Sequence, residues 1–289
     1  MVLDGDGPVG IIAGGQDLPF EVVDALKAAG HSYLLFGIVG EADERIENHP
    51  HQWIKWGEIG LLFRVIEQHH ISRLLCIGSI GARPDFRSIR LDLGAMKALP
   101  AILRIMASGG DESLLQGVAG FFEQRGVQLC SVPDVAPGLV VGDDLSLGSK
   151  LAQANEADIG LAARAAGVIG ALDAGQGVVV ADGRILAMEG PEGTDQMLAR
   201  VAQILSEKRA RWNVGKQGVL LKRARPGQDL RFDMPTIGPR TIENAKKAGL
   251  AGIVCAQGEV LCANRQLSLE IARKSGLFLQ ARKLEDISL

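Results

Sequence analysis

The chain contains few of the residues on which disulfide, zinc and histidine chemistry depend. Only 4% of its 289 residues are aromatic, and it has five histidines and four cysteines. The cysteines are Cys76, Cys130, Cys255 and Cys262. No two of them form a C-x-x-C pair, so we predict buried thiols and neither disulfides nor zinc sites. The histidines form no D-x-H, G-N-H-D or H-E-x-x-H motif, so any metal chemistry is expected to use carboxylates.

A basic excess and a membrane-length apolar run are also missing from the sequence. The formal net charge is -3, which offers no global attraction to nucleic acid, so nucleic acid is not an expected partner. No apolar run reaches the roughly 20 residues that span a bilayer. The first ten residues, MVLDGDGPVG, carry acids where a signal peptide would carry Lys or Arg. We therefore expect a cytoplasmic protein.

The length and the overall composition of the chain predict two folded domains. A chain of 289 residues exceeds the usual size of one hydrophobic core. Hydrophobic residues make up 47% and charged residues 22%, which is typical of globular proteins. The stretch around residues 135–150 is rich in Pro, Gly and Asp and has no helical or strand period. We predict that it connects an N-terminal domain (1–134) to a C-terminal catalytic domain (151–289).

Strand-like and helix-like segments alternate along the N-terminal half. Short β-branched runs at 9–15, 32–40, 73–80 and 127–132 predict strands, and helical spacing follows the first and precedes the third. Residues 93–125 predict two helices that are broken near 108–111. Strands that alternate with helices imply a parallel sheet, so we predict a doubly wound, Rossmann-like α/β domain.

The C-terminal half is also predicted to be α/β. A hairpin is expected to turn at Asp182-Gly183, because Asp-Gly between apolar runs favours a tight turn. A second hairpin is expected within GIVCAQGEVLCAN (252–264). Helices are predicted at 150–166, 194–211 and 239–249, and further strands at 218–224 and 277–282.

Two glycine-containing turns in the N-terminal half are candidate ligand sites. Gly14 and Gly15 lie between the first strand and its helix, where backbone N–H groups can bind phosphate. The turn does not complete G-x-G-x-x-G, so a simple tight turn is the alternative. Ser79, Arg83 and Asp85 follow the strand at 73–80, and Arg83 can clamp a phosphate with its planar fork. A surface ion pair between Arg83 and Asp85 is the alternative there.

Two polar segments in the C-terminal half are candidate sites for metal and catalysis. In the segment 189–195, Glu189, Glu192 and Asp195 suit Mg²⁺, although Thr194 or Asp195 can equally cap the helix that follows. The segment 228–238 adds two acids, an Arg and a Thr on a loop fixed by proline. Solvated loop charges are the alternative for this second segment.

Several segments, taken in order, carry a family resemblance that covers nearly the whole chain. They are GIIAGGQDLP (10–19), RPD (83–85), DAGQGVVV (173–180), EGPEGTDQML (189–198), GVLLK (218–222) and QDLRFDMPTIGPRTI (228–242). The chain resembles the two-domain UDP-2,3-diacylglucosamine pyrophosphatases of lipid A biosynthesis, which are distinct from the calcineurin-like enzymes of that step. It departs at Gln16, where a third glycine is common, at Gly190, where Ala is, and at Met234, where Leu is. None of these departures removes a charged group.

The resemblance implies an activity and a catalytic residue. The implied reaction is hydrolysis of UDP-2,3-diacylglucosamine to UMP and 2,3-diacylglucosamine 1-phosphate (lipid X), with Mg²⁺ as the cofactor. The essential aspartate of the family's D-L-P-T-I-G motif falls on Asp233. Our own interpretation adds Glu189, Glu192 and Asp195 to Asp233 as metal ligands. The residues that we expect to contact substrate are Gly14, Gly15, Ser79, Arg83, Asp85, Thr194, Lys222, Gln228 and Thr236.

The implied substrate is an acylated UDP-sugar, and two other functions compete with its hydrolysis. Its lipid needs an apolar site, which we expect in a cleft between the domains, lined by aliphatic side chains. An NAD-dependent oxidoreductase is favoured by the Gly14-Gly15 turn, but no acid ends the second strand at 36–40. A non-catalytic nucleotide-sugar or lipid-binding protein would have no need of Asp233 beyond affinity. The interpretation also admits peripheral contact with the inner membrane and a homodimer.

Overall fold

The chain folds into two compact units. The computed structural model describes residues 7–81, 90–107 and 111–286. The first unit comprises Met1–Gly138 together with Asp229–Asp233, and the second comprises Leu139–Gln228 and Met234–Leu289. The first boundary falls within the interval 135–150 that the sequence assigns to a connector. No helix among the described residues is long and apolar enough to cross a membrane.

The first unit consists of parallel strands and the helices that connect them. Its strands are β1 (Val9–Ala13), β2 (Tyr33–Ile38), β3 (His51–Ile54), β4 (Arg73–Ile77) and β5 (Gln128–Cys130). Its helices are α1 (Leu18–Ala28), α2 (Ile59–Gln68), α3 (Leu93–Ala107), α4 (Asp111–Glu123) and the short α5 (Val132–Val135). Single 3₁₀ turns occupy Glu44–Asn48 and Pro137–Leu139.

The sheet of this unit confirms the predicted doubly wound arrangement. Its strand order is β3-β2-β1-β4-β5, and all of its pairs are parallel. The order reverses between β1 and β4, and open α/β sheets generally bind ligands at the carboxyl ends of the strands at such a reversal. The strand β3 was not predicted, because its sequence HQWI is short and half polar. The two helices predicted within residues 93–125 are confirmed as α3 and α4, whereas the break predicted near 108–111 falls largely on residues 108–110, which lie outside the described residues.

The core of the first unit lies between the sheet and helices α2, α3 and α4. Apolar residues of α2 such as Leu62 and Ile66 recur at helical spacing and pack against Phe36 of β2 and Leu74 of β4. The α4 residue Phe122 joins the same cluster. The apolar stripe of each helix therefore covers one face of the sheet.

A single carboxylate, that of Asp92, caps two helices of this unit. It accepts a hydrogen bond from the Ala95 N–H (2.7 Å) in the first turn of α3. It also accepts bonds from the Gly60 N–H (3.0 Å) and the Leu61 N–H (2.9 Å) in the first turn of α2. Burial alone would raise the pKa of Asp92, but the hydrogen bonds from these amides outweigh it and hold the pKa below its usual value. The starts of α2 and α3 are thus fixed to one anion.

The second unit is built around a larger, mixed sheet. Its strands are β6 (Ser146–Leu147), β7 (Gly177–Ala181), β8 (Arg184–Met188), β9 (Val219–Lys222), β10 (Thr236–Ile237), β11 (Gly252–Ala256), β12 (Leu261–Cys262) and β13 (Phe278–Arg282). Its helices are α6 (Ser149–Gln153), α7 (Glu156–Ala171), α8 (Gly193–Ser206), α9 (Pro239–Lys247) and α10 (Arg265–Ser275). A final 3₁₀ turn occupies Leu284–Asp286.

Six strands form the main sheet in the order β6-β13-β11-β9-β7-β8, while β10 and β12 form a separate parallel pair. The hairpin predicted at Asp182-Gly183 is confirmed, since β7 and β8 are antiparallel and both turn residues have positive φ (52° and 69°). The buried Asp158 carboxylate of α7 accepts hydrogen bonds from both turn amides at 3.0 Å and 2.8 Å. This helix therefore holds the turn in place.

Two details of the prediction for this half are wrong. The segment 252–264 is not a hairpin, because β11 pairs in parallel with β9 and β13 while β12 pairs with β10. The helix predicted at 150–166 is two helices, α6 and α7, separated by Ala154 and Asn155. The side chain of Asn155 donates to the carbonyls of Leu151 (2.8 Å) and Lys216 (3.0 Å), which fixes the turn between them.

Helices cover both faces of the main sheet. Val178 and Val180 face a cluster that includes Ile159 and other residues of α7. The residue between them, Val179, faces the opposite cluster with Leu198 of α8. This alternation is the period of two expected of a strand that is buried on both faces.

Candidate functional site

The strand reversal between β1 and β4 brings three of the expected substrate-contact residues together. Gly15 and Ser79 pair through two backbone hydrogen bonds, Gly15 N–H to Ser79 O (2.8 Å) and Ser79 N–H to Gly15 O (3.1 Å). Gly14 donates its N–H to Ile77 O (2.9 Å). A Cβ atom at Gly14 would lie 2.4 Å from the Ser79 carbonyl oxygen, so only glycine permits this approach. The Gly14-Gly15 turn therefore joins the ends of β1 and β4.

The residue after these glycines, Gln16, adopts a conformation that favours glycine. Its φ is 74°, in the left-handed region, and its side chain is exposed. This geometry explains why a glycine suits the position. Non-glycine residues held in this region cost about 1–2 kcal/mol and concentrate at functional sites.

The remaining residues expected at this end of the first unit are only partly described. Arg83 and Asp85 lie outside the residues that the structure describes. The nearby Gly81 N–H donates to the Glu41 carboxylate (2.5 Å), a contact that the sequence did not predict. Glu41 follows β2, so the contact joins the segments that follow β2 and β4.

In the second unit, Lys222 lies at the centre of a buried polar cluster. Its ammonium group donates to Thr194 Oγ1 (2.7 Å) and Thr236 O (3.4 Å), and lies 3.7 Å from Glu189 Oε1. Thr194 in turn donates its hydroxyl to Glu189 Oε1 (2.5 Å). The side chains of Lys222 and Glu189 are only 5% and 11% exposed. The cluster therefore joins the end of β9, the start of α8 and the strand β10.

The other oxygen of Glu189, Oε2, is buried without a hydrogen-bond partner among the described residues. The ammonium group of Lys222 donates two hydrogen bonds within the cluster and forms an ion pair with Glu189. Lys222 thus neutralises a carboxylate that would otherwise be buried alone.

The remaining acids of segment 189–195 face arginines. Asp195 contacts Arg240 (2.7 Å) and accepts from the Asn244 amide (2.9 Å), while Glu192 pairs with Arg200. No group of three or more His, Cys, Asp or Glu side chains that could hold a metal ion occurs in the part of the chain that the structure describes. The assignment of Glu189, Glu192 and Asp195 to metal stays a prediction.

The loop that carries Asp233 is anchored on both sides. Before it, Arg231 donates to both carboxylate oxygens of Asp229 (Nε at 2.9 Å, Nη2 at 2.7 Å) and to Glu123 (3.1 Å). Side-chain hydrogen bonds from Arg231 hold the pKa of Asp229 below its usual range. After it, Met234 and Pro235 are buried.

Asp233 itself is exposed between these anchors. Thr236 donates its hydroxyl to the Met234 carbonyl (3.1 Å), which tightens the turn that follows Asp233. Gln228 has a structural contact, since its side-chain oxygen accepts from the Arg225 N–H (2.9 Å) and the Gln176 amide (3.0 Å). An exposed carboxylate on a fixed backbone can contact a ligand without rearrangement of the loop.

The four cysteines are free thiols, as predicted. Cys130, Cys255 and Cys262 are buried, whereas Cys76 is only partly buried as a residue. The Cys76 thiol is nevertheless desolvated by its surroundings, which raises its pKa to about 12. A protonated thiol is a poor nucleophile and a poor metal ligand.

Comparison with known proteins links both halves of the chain to one family. Residues 8–139 match the LpxI N-terminal domain, and residues 144–280 match the LpxI C-terminal domain. A curated relative from Caulobacter vibrioides, named UDP-2,3-diacylglucosamine pyrophosphatase LpxI, is 35% identical over 271 residues. The alignment covers 94% of this chain and 96% of the relative. The resemblance inferred from the motifs is thereby confirmed.

Proposed function

The chain belongs to the LpxI family of hydrolases, and from this membership we propose that it cleaves the pyrophosphate bond of UDP-2,3-diacylglucosamine in lipid A biosynthesis. The observation that carries the proposal is the similarity to a named pyrophosphatase over 94% of the chain. The proposed products are UMP and 2,3-diacylglucosamine 1-phosphate (lipid X). Water supplies the oxygen that replaces the bridging oxygen on one phosphorus atom.

In this proposal Asp233 is the catalytic residue. Its carboxylate is exposed, and the buried Met234 and Pro235 fix the backbone that follows it. A carboxylate in this position can accept a hydrogen bond from the attacking water and orient it toward phosphorus. Hydrolysis of a phosphoric anhydride requires an oriented nucleophile and charge neutralisation more than covalent catalysis. The residue is also the feature that separates an enzyme from a binding protein of the same family fold.

We also propose a requirement for Mg²⁺, with few ligands from the protein. Mg²⁺ is commonly held by one or two carboxylates together with substrate phosphates. The exposed Asp233 fits that donor set, and Glu189, Glu192 and Asp195, each of which contacts a cationic side chain, remain the further predicted ligands. When bound, the ion neutralises charge on the phosphate oxygens. We further propose that the protein is cytoplasmic and makes peripheral contact with the inner membrane. Assembly as a homodimer is an accompanying hypothesis.

The test of this function is release of UMP from UDP-2,3-diacylglucosamine in the presence of Mg²⁺, beside UDP-N-acetylglucosamine as the unacylated control. We expect release from the diacylated substrate alone, its loss in EDTA and its return with excess Mg²⁺. Full turnover in metal-free buffer would contradict the metal requirement. Equal release from both substrates would contradict the substrate assignment.

A further inference from the structure

A cavity of about 610 Å³ in the first unit is lined by residues of helices α2, α3 and α4. The volume is within the range of about 300–1,000 Å³ that is usual for small-molecule pockets. Ser72 and Val127, which directly precede β4 and β5, place one end of the cavity at the amino edge of the sheet. The Gly14-Gly15 turn lies at the opposite, carboxyl edge, so this end of the cavity is separate from the expected substrate contacts.

Aromatic rings form part of the lining of this cavity. Phe63 of α2 and Phe121 of α4 meet edge to face, with ring centroids 5.7 Å apart and ring planes at 65°. Phe121 is buried, whereas Phe63 is only half-buried. Aromatic rings favour edge-to-face and offset contacts with centroids about 4.5–7 Å apart. The accessible part of Phe63 can therefore pack against an aromatic ring of a ligand.

The guanidinium group of Arg125, which also lines the cavity, is held over these two rings. Its Cζ atom lies 3.8 Å from the ring centroid of Phe121 and 5.2 Å from that of Phe63. Its Nη1 donates to the Phe121 carbonyl (2.8 Å), and it makes no ion pair or further hydrogen bond with the described residues. A stacked guanidinium stays charged and presents its remaining N–H donors at its edge, where a carboxylate can accept two of them.

Positive charge exceeds negative charge among the described lining residues. Lys97 of α3 is the second cation, and Glu67 of α2 is the one carboxylate. The Lys97 side chain is exposed and makes no ion pair with any described residue. A concave surface with a net positive lining attracts an anion in preference to a neutral or cationic molecule.

His70 adds an imidazole to the lining from a position where glycine is usual. It follows α2 with a φ of 54°, in the left-handed region. The His70 N–H donates to Glu67 O (3.1 Å) and the Ile71 N–H to Ile66 O (2.9 Å), which is the Schellman arrangement of a helix end. Glycine favours this position because it adopts the left-handed conformation without strain. The turn itself therefore gives no reason for a histidine, whose imidazole can hydrogen-bond to a ligand in the cavity.

We propose that this cavity is a second binding site, which takes a small aromatic carboxylate. The aromatic ring of the ligand packs on Phe63, and its carboxylate accepts hydrogen bonds from Arg125 and contacts Lys97. An inorganic anion would leave the aromatic surface uncovered, and a neutral apolar molecule would leave the donors of Arg125 without an acceptor. The site does not depend on the proposed hydrolysis, because none of its lining residues is among those expected to contact substrate or metal.

The test uses 2-naphthoate as the probe and 2-naphthalenemethanol, which has the same rings without the charge, as its control. Binding of each compound to the full chain is measured by calorimetry and by the fluorescence of the naphthalene ring. We expect 2-naphthoate to bind with a Kd below roughly 1 mM. The alcohol should bind about tenfold more weakly, because it cannot form the charge-assisted hydrogen bonds to Arg125.

Three variants locate the bound probe. Arg125→Gln should weaken 2-naphthoate binding by about tenfold, because the guanidinium that pairs with the carboxylate is lost. Arg64→Gln is the matched control: Arg64 is exposed on the same unit, adjoins Phe63 in α2 and does not line the cavity. Both changes remove one positive charge, but Arg64→Gln should change the Kd by less than about twofold. Lys97→Gln should weaken binding by about two- to fivefold, as expected for an exposed ion pair.

The outcomes separate this site from nonspecific attraction of an anion. The proposal is overturned if 2-naphthoate shows no binding at roughly 5 mM, or if the alcohol binds as tightly. Equal weakening by Arg125→Gln and Arg64→Gln would overturn it as well, since the probe would then respond to overall charge or lie elsewhere. If circular dichroism shows that Arg125→Gln does not fold, Lys97→Gln decides the question. An effect of Lys97→Gln no larger than that of Arg64→Gln then overturns the proposal, and a larger effect supports it.

Discussion

At the scale of single residues, the two candidate sites differ in how their charged groups are used. Lys222 and Glu189 are buried and neutralise one another, whereas the carboxylate of Asp233 is exposed. A group that acts on substrate must be able to reach it, and a group whose hydrogen bonds are all internal contributes mainly to the fold. Exposure therefore favours different roles for residues that the sequence presents as similar acids and bases.

Replacement of Asp233 by Asn should abolish turnover and leave the fold intact. The side chain is exposed, so its loss creates no cavity and costs little stability. If the carboxylate orients water or holds the metal, its charge acts mainly in the transition state. We therefore expect kcat to fall by about 10² or more while KM changes less. Steady-state kinetics and circular dichroism of the same preparation measure the two effects.

The neighbouring acid Asp229 provides the control for this experiment. It lies in the same loop but is held by the Arg231 guanidinium, so Asp229→Asn should loosen the loop and reduce kcat far less than Asp233→Asn. Equal, mild losses at both positions, or unfolding of the Asp233 variant, would show that the loop is structural and not catalytic.

Replacement of Lys222 by Met should destabilise the second unit. The change leaves the Glu189 carboxylate, which is 11% exposed, without its cation. Removal of one partner of a buried ion pair costs about 3 kcal/mol or more in the free energy of unfolding. The double variant Lys222→Met/Glu189→Gln removes the stranded charge and should recover much of that loss. Urea unfolding of both variants tests this, and equal destabilisation by the single and double variants would contradict it.

At the scale of elements, the sequence predicted one hairpin correctly and another wrongly. The order of the strands in the main sheet explains the difference. The strand β7 has a free side on which β8 pairs, so the Asp182-Gly183 turn forms a hairpin. The strand β11 is hydrogen-bonded on both sides by β9 and β13, so no position is left for β12 beside it. Turn-forming residues can be recognised in the local sequence. Which strands pair on either side of a given strand, however, depends on segments that are distant along the chain.

The shared cap at Asp92 shows the same limit. An aspartate directly before the helical pattern that begins at Leu93 is a recognisable N-cap for α3. Its second role at the start of α2, through Gly60 and Leu61, joins residues about thirty positions apart and has no local signal. The local sequence therefore carries a signal for only one of the two roles of this carboxylate.

Loss of this cap should make the stability of the first unit less dependent on acid pH. The hydrogen bonds lower the folded-state pKa of Asp92, so its contribution is fully present above the unfolded value of about 3.9 and is lost as pH falls through the folded pKa. We expect Asp92→Ala to lower the free energy of unfolding by about 1–3 kcal/mol at pH 7.

Urea unfolding between pH 7 and pH 2.5 measures this effect. The difference between the unaltered protein and Asp92→Ala should shrink toward the acid end, where the unaltered carboxyl is also protonated. A difference that stays constant across this range would show that the carboxylate charge contributes nothing.

At the scale of the whole molecule, the sequence predicted the class of both halves and the parallel sheet of the first. Buried apolar strands such as β1 and β9 have strong patterns, whereas β3 and the two-residue strands β6 and β10 are too short or too polar to show one. The proposed catalytic aspartate, Asp233, came from the family resemblance. The sequence did not predict that Glu189, Glu192 and Asp195 pair with cations, because Lys222 and Arg240 lie on other elements.

The division of the chain into units also bears on how the molecule can be dissected. Residues up to Gly138 belong to the first unit, and residues 139–228 belong to the second. Asp229–Asp233 belong to the first unit again, and the rest of the chain belongs to the second. A fragment that ends at Gly138 would therefore lack five residues of its own unit, among them the proposed catalytic aspartate. The two halves matched by the family models therefore do not coincide with the two compact units, because Asp229–Asp233 belong to the first unit. Recombination of this gene with a relative's at a single crossover near residue 139 would exchange the loop of Asp233 along with the second unit, and would combine it with a first unit that had not evolved around it.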